Sequence, residues 1–465
     1  MTKPRIARFF LFLFFLSEPA SGAEVVYANK CAAGYYMAFS GDVAGDAPNT
    51  TSQKTVNCFA WSQFVALNWP AAGHGNGEAG DLSPVRWQTF PSEFDLFRPD
   101  GSAPASGVHA SLPKACAARV AKAGLRPDEV TLLQAPAGPG KKPLRINSSE
   151  QAGAADNEAA WVGDSNGANL WYEIRVSPKE ADFIIVNRLF RLDGQAGFIA
   201  AGHPFVLPKS GEDSPAATIE LKAAWMEVPD PANPKWSYFK TSDAAILDAS
   251  GGDCRLTRVA LVGLHITQKT VGQPSFFWAT FEHIDNVPDG NGPVSGSYNL
   301  YSDQCRPQQV KVENPLCLAG AEAGAAAKMV TITCRPNARP PYHIGGDCPA
   351  PRATQTTRDV ATEPDTDDVN AMVQASLAQT FPNSVWQYYK LINVQWALAR
   401  AVDPEAPLAG SARLPTTLPS IPVSNTTMET YLQTTTCTTC HVNAALAKPR
   451  AYSADFSFVF EAAGR

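Results

Sequence analysis

Ten cysteines constrain this chain more than any other feature: eight are scattered from Cys31 to Cys348, and two sit three positions apart at Cys437 and Cys440. Their meaning depends on compartment. Lys3, Arg5 and Arg8 precede the apolar run from Phe9 to Leu16, and Ser21 and Ala23 supply small residues before Glu24. That order is a secretory signal peptide over 1–23, which places the mature chain in the periplasm or outside the cell. The run is shorter than the about 20 apolar residues a membrane span needs, and no later stretch supplies one, so no integral span is expected in the mature chain. In an oxidising compartment an even set of cysteines reads as disulfides, whose connectivity sequence leaves open. By spacing alone, Cys305/Cys317 and Cys334/Cys348 are candidate local pairs.

The composition is 45% hydrophobic and 18% charged, an ordinary globular balance that excludes general disorder. A net charge of −6 without a clustered Lys/Arg stripe argues against a nucleic-acid partner. The 38 prolines and 33 glycines point to many turns. The expected fold is therefore α+β and β-rich. It has a loop-rich sheet core, short helices and a small helical C-terminal segment.

Short helices are expected over 57–67, with Phe59, Phe64 and Leu67 inward, and over 113–123. A polar stretch over 138–158 reads as a loop. Strand-like runs follow at Trp171–Val176, Phe183–Leu192, Thr218–Val228, Val259–Ile266 and Phe276–His283, which suggest a sandwich or barrel. The charged, Thr-rich segment 351–368 reads as a linker between a β-rich region over 24–350, with room for two subdomains, and a C-terminal segment over 369–465. Asp365, Asp367 and Asp368 suit the start of a helix that ends at Pro382. The aromatic run 385–398 is more strand-like than helical. Prolines from Pro404 to Pro422 suit an extended connector. Thr426 and Glu429 fit a capping box opening a short helix over 427–433.

Cys437-Thr438-Thr439-Cys440-His441 is C-x-x-C-H. Two thiols at this spacing can each add to a vinyl group of one porphyrin, with the adjacent imidazole beneath the iron. A thioredoxin-like redox pair, a zinc site and a plain disulfide are the competing readings. The first usually opens a helix within a βαβ unit, and the second needs further ligands. On these five residues and the approach to them, the chain resembles the c-type cytochromes. The resemblance implies one covalent haem c, attached through Cys437 and Cys440, with His441 as axial ligand of its iron. Small class-I cytochromes carry this motif near the N-terminus of the domain and an axial methionine downstream. Here the residues after His441 include neither methionine nor histidine.

A sixth ligand must then come from upstream or be absent. The other histidines are His74, His109, His203, His265, His283 and His343. His265 and His283 are the candidates, since both end strand-like runs. Alternation puts His265 on the face of Val259 and Leu261, and His283 with Phe277, Ala279 and Phe281. A core histidine bonded to backbone is the plainer reading of each. Met226, Met329, Met372 and Met428 are alternatives that core packing equally explains. Electron transfer to a redox partner protein is the expected function. A haem-dependent oxidoreductase, peroxidase- or oxygenase-like and acting on a small-molecule substrate at an open iron, is the alternative. Whether the chain is an enzyme is left open, and no catalytic residue is assigned.

Overall fold

The computed structural model describes residues 26–48, 51–71, 77–98, 100–104, 112–136, 152, 160–210, 218–288, 296–320, 326–397, 417–418 and 422–464. The leader, nearly all of 138–158, most of the proline tract, His74 and His109 lie outside them. The first described elements are β1 (Val26–Ala32), β2 (Tyr35–Phe39), α1 (Gln53–Leu67), α2 (Glu93–Leu96), α3 (Lys114–Lys122) and β3 (Val130–Gln134). Then come β4 (Trp171–Val176), α4 (Pro178–Val186), α5 (Leu192–Ala200), β5 (Thr218–Glu227), β6 (Thr241–Leu247), β7 (Cys254–Lys269) and β8 (Phe277–His283). The chain continues through β9 (Gln308–Val312), β10 (Lys328–Ile332), α6 (Pro364–Thr380), β11 (Tyr389–Ala397), β12 (Thr417–Leu418) and α7 (Cys437–His441). The fold is α+β and β-rich.

One eight-stranded sheet organises the molecule, and β7 is its spine. One edge of β7 pairs antiparallel with β5, from Val259 to Lys269. The other edge is shared: β6 takes Cys254–Ala260 and β8 takes Gly263–Gln268. Beyond these lie β4, β11 and β12, and β3 adds a parallel pairing to β6. The layer over the sheet is helical, so the architecture is neither the sandwich nor the barrel that five strand-like runs suggested.

Alternation gives the sheet two faces. Leu221 and Trp225 of β5, Leu264 and Ile266 of β7, and Phe277 and Phe281 of β8 share a core with α1 and α6. Ser52 caps α1 by accepting from the Thr55 amide, and Phe59, Phe64 and Leu67 are buried as expected. Phe64 stacks on Phe281 at 4.3 Å between centroids. Pro364 opens α6 with Asp365 and Asp367 in its first turn, and Val369, Val373 and Leu377 are buried.

The opposite face is covered by residues 422–464, and a bulge lets it serve them. Between the partners of Ala224 and Trp225, β7 carries one extra residue, Val262. Val259 and Leu261 face the α1 core, but beyond the extra residue it is Leu264 and Ile266 that do so. The parity reverses, and His265 points away from Leu261, on the other face. The expected alignment of His265 with Val259 and Leu261 is therefore corrected. Beside the bulge, Gly263 is required: a Cβ there would come within 2.2 Å of Thr427 Oγ1.

Other expectations are also revised. The run Phe183–Leu192 is no strand; it ends α4, turns through Arg188 at φ 55°, and meets α5. An apolar run of this length does not distinguish helix from strand, and Pro178 in the first turn was the overlooked helix signal. Segment 351–368 does not separate two bodies. Arg358 pairs with Glu282 at 2.8 Å with both side chains buried, α6 begins at Pro364, and β11 hydrogen-bonds to β8.

The eight scattered cysteines form Cys31–Cys58, Cys116–Cys254, Cys305–Cys334 and Cys317–Cys348. The last two replace the nearest-neighbour pairs, because they tie strands and loops around β9 and β10 rather than each to itself. Peptide mapping without reduction should recover Cys305–Cys334 and Cys317–Cys348; a Cys305–Cys317 peptide would contradict the pairing. Replacing Cys116 and Cys254 with alanine, which unties α3 from β7, should lower the unfolding free energy by about 2–5 kcal/mol in urea titration.

Candidate functional site

One helical turn carries the motif. In α7, Cys437 and Cys440 are three residues apart and Cys437 and His441 four, so all three side chains share a face. The turn is held from below by Gln395 of β11, whose Oε1 accepts from the amide of Thr438 at 3.0 Å and from its hydroxyl at 3.3 Å. Cys437 and Cys440 are both free thiols, each partly exposed. Burial and the nearby Glu429 carboxylate push the Cys437 thiol well above the usual range.

His441 is fixed in position and tautomer. Its Nδ1 lies 2.7 Å from the Phe456 carbonyl oxygen, which can only accept, so Nδ1 carries the proton and donates. Nε2 is left with the lone pair, the form a metal requires. The ring lies 4.6 Å from the Trp278 ring and 5.0 Å from that of Phe458. Burial pulls the His441 pKa down to about 4, which keeps the imidazole neutral at ordinary pH.

The Phe456 carbonyl is held by unusual backbone. Asp455 and Phe456 both adopt the left-handed region, at φ 53° and 69°, without being glycine. Such residues persist where neighbouring contacts over-determine them. Here the Asp455 carboxylate accepts from the Leu207 amide at 2.7 Å and pairs with the fully buried Lys269 of β7.

The three motif side chains open on a largely apolar cleft whose far wall is the bulged face of the sheet. Trp278, Thr280, Val423, His265 and Glu429 line it. His265 Nε2 lies 3.4 Å from a Glu429 carboxylate oxygen. Burial pushes the Glu429 pKa up, but His265, the Asn425 amide and Lys222 together hold it below the usual carboxylate value.

The approach to α7 differs from the expected capping box. Both the amide and the hydroxyl of Thr426 donate to Glu282, each at 2.6 Å, and the cap contacts are made one residue earlier. Asn425 caps instead: its Oδ1 accepts from the Thr427 amide at 2.9 Å, while Glu429 reaches back to the Asn425 amide at 2.7 Å. Turns rather than a helix fill 427–433.

Of the two histidines singled out, the structure brings one to the motif. His265 shares the cleft. His283 is completely buried elsewhere, stacked on Phe239 at 3.7 Å between centroids. Its Nε2 meets the Tyr238 carbonyl at 3.0 Å and its Nδ1 accepts from the Asp285 amide at 3.2 Å. Burial takes its pKa down to about 3, and neither ring nitrogen is available for a metal. Met226 and Met428 are buried in a separate core, Met372 packs against the α1 core, and Met329 is exposed. Sequence reasoning did not find the Phe456 carbonyl, Gln395 or the pairing of Glu429 with His265; each depends on strand register or loop path and has no local signature.

No family model, curated protein or solved structure matches this chain. The site therefore stands on its own geometry. Chain purified without reductant from a host that attaches no haem should titrate two thiols per molecule with an aromatic disulfide reagent, Cys437 the slower for its burial and raised pKa. Two thiols appearing only after reduction would mean that Cys437 and Cys440 are joined.

Proposed function

We propose that this chain is an exported c-type cytochrome that carries electrons through one haem c, attached at Cys437 and Cys440, with His441 as axial ligand. The observation that carries the reading is the chemical contrast among the ten cysteines. Eight are closed into disulfides, while the two beside His441 stay free and face one largely apolar cleft with a pre-oriented imidazole. The donor set suits this group: two thiols for thioether bonds, and an Nε2 lone pair whose ring is anchored through Nδ1–H to a backbone carbonyl. The largely apolar lining of the cleft, with Trp278 on its wall, suits a flat aromatic ligand. Among the described residues, no group of three or more His, Cys, Asp or Glu is arranged to hold a bare metal ion. When bound, haem c supplies a one-electron iron couple. The protein's part is to hold the axial imidazole neutral and oriented, and to surround the site with Trp278, Val423 and the sheet. Four disulfides support the periplasmic or secreted location that the leader suggests.

His265 is the other histidine on this cleft among the described residues, and we assign it as the sixth ligand, with Glu429 orienting it. The same contact favours a second reading, the haem-dependent oxidoreductase. There His265, held by Glu429, would stay unligated and would move a proton to or from a small oxidant entering the cleft.

Expressed in a host that attaches haem c, the chain should show haem stain that survives a denaturing gel. Replacing both Cys437 and Cys440 with alanine should abolish that stain; persistence would end the proposal. For the electron carrier, the oxidised protein should be low-spin, and His265→Ala should make it high-spin and open to cyanide. A wild-type spectrum already high-spin, with rapid cyanide binding, selects the oxidoreductase.

A further inference from the structure

Between α4 and β5 lies a pair of acids that the proposed function does not use. Glu180 of α4 is fully buried and within hydrogen-bonding reach of Glu220 on β5. Neither oxygen of Glu180, nor Oε1 of Glu220, has a donor among the described groups, and the buried Thr218 hydroxyl two residues along the same strand face is also unpartnered. Two ionised carboxylates so placed repel each other, whereas one shared proton turns the repulsion into a hydrogen bond. The missing donor is a proton. The pair lies near the loop that holds His441: the Ser457 hydroxyl beside Glu220 favours its charged form, and Ser457 shares a peptide unit with the Phe456 carbonyl that holds Nδ1.

We propose that Glu180 and Glu220 form a proton-binding site coupled to the redox state of the iron bound by His441, so that electron uptake draws in a proton. The inference rests on the haem reading of the motif. One electron comes from a donor protein, one proton comes from solvent, and the pair passes from singly to doubly protonated; re-oxidation returns both.

The electrostatics agree. Burial, then the Glu220 charge, lifts Glu180 well above the carboxylate range, and burial lifts Glu220 to about 7. The groups around the pair are Asp455 and Lys269, already bound to each other, and Lys222 two positions along β5, which faces Glu429 and Glu93. Protonation of the pair offsets the charge an added electron brings, so by reciprocity it raises the reduction potential. The potential should therefore fall as pH rises through about 7 and level off above. Stability follows the same sign: the folded pair binds more protons than unfolded glutamates, so unfolding free energy falls as pH rises from about 4.3.

The test is spectroelectrochemical titration of the holoprotein from about pH 5 to 9, with urea unfolding over the same range for wild type, Glu220→Gln and Glu180→Gln. The proposal expects a sloping wild-type potential that either variant flattens, and a fall in stability with pH that either variant reduces. A flat wild-type potential overturns the coupling, whatever becomes of the variants, as does a slope unchanged in both. Absence of covalent haem on a denaturing gel instead overturns the haem reading on which the coupling stands, and the unfolding curves still report whether the pair binds its proton.

Discussion

The structure depends on one strand satisfying three partners. With 16 residues, β7 is long enough to pair along one edge with β5 and to divide the other between β6 and β8. A strand of uniform alternation would show one set of side chains to the same layer throughout. The extra residue at Val262 breaks that rule midway. Its first half presents Val259 and Leu261 to the helices, and its second half presents Leu264 and Ile266 there while turning His265 and Thr267 to the cleft. A one-residue change of parity thus separates a purely structural half of the sheet from the half that forms a site.

The C-terminal segment is fastened to this second half by polar contacts that exclude alternative seats. Thr426 is bound to the buried Glu282, itself paired with Arg358; Asn425 donates to Thr280 and to the Phe281 carbonyl; Thr427 rests on Gly263. Removing one partner of a buried ion pair such as Glu282–Arg358 generally costs about 3–5 kcal/mol, because the other charge is left uncompensated. Such contacts add less to net stability than to uniqueness. They set where α7 lands, and Gln395 sets its rotation. The Lys269–Asp455 pair does the same for the loop whose carbonyl orients His441, so the supports of the imidazole trace back to β7 and β11.

Much of this was legible locally. β4, β5 and β8 emerge to within a residue or so, because each is a short run rich in strand-forming residues bounded by turn residues. The two expected helices at α1 and α3, and α6 behind its acidic start, follow from caps and apolar spacing. The run containing Phe183, Ile184 and Ile185 misled because an unbroken apolar stretch has no period to read, although of these three only Ile184 is buried. The capping box at Thr426 misled for a different reason. Its residues are right for a cap, but Asn425 and Glu429 make the cap one position earlier, while Thr426 donates to a carboxylate 144 positions away. Disulfide partners were likewise beyond reach, since proximity in the chain says little about proximity across a hairpin.

The sequence by itself determined the chemistry available: two thiols and an imidazole at the spacing of one helical turn, an even remainder of eight cysteines, and the α+β balance. Covalent spacing is local, so it survives any fold that lets the turn form. Only the tertiary structure decided what stands opposite that turn. Alternation treats His265 and His283 alike, as strand-end histidines on apolar faces. The bulge sends His265 to the cleft beside Glu429, while strand register buries His283 against Phe239 with both nitrogens engaged. The difference lies in a single extra backbone residue and in which strands meet, neither of which a side chain's identity encodes.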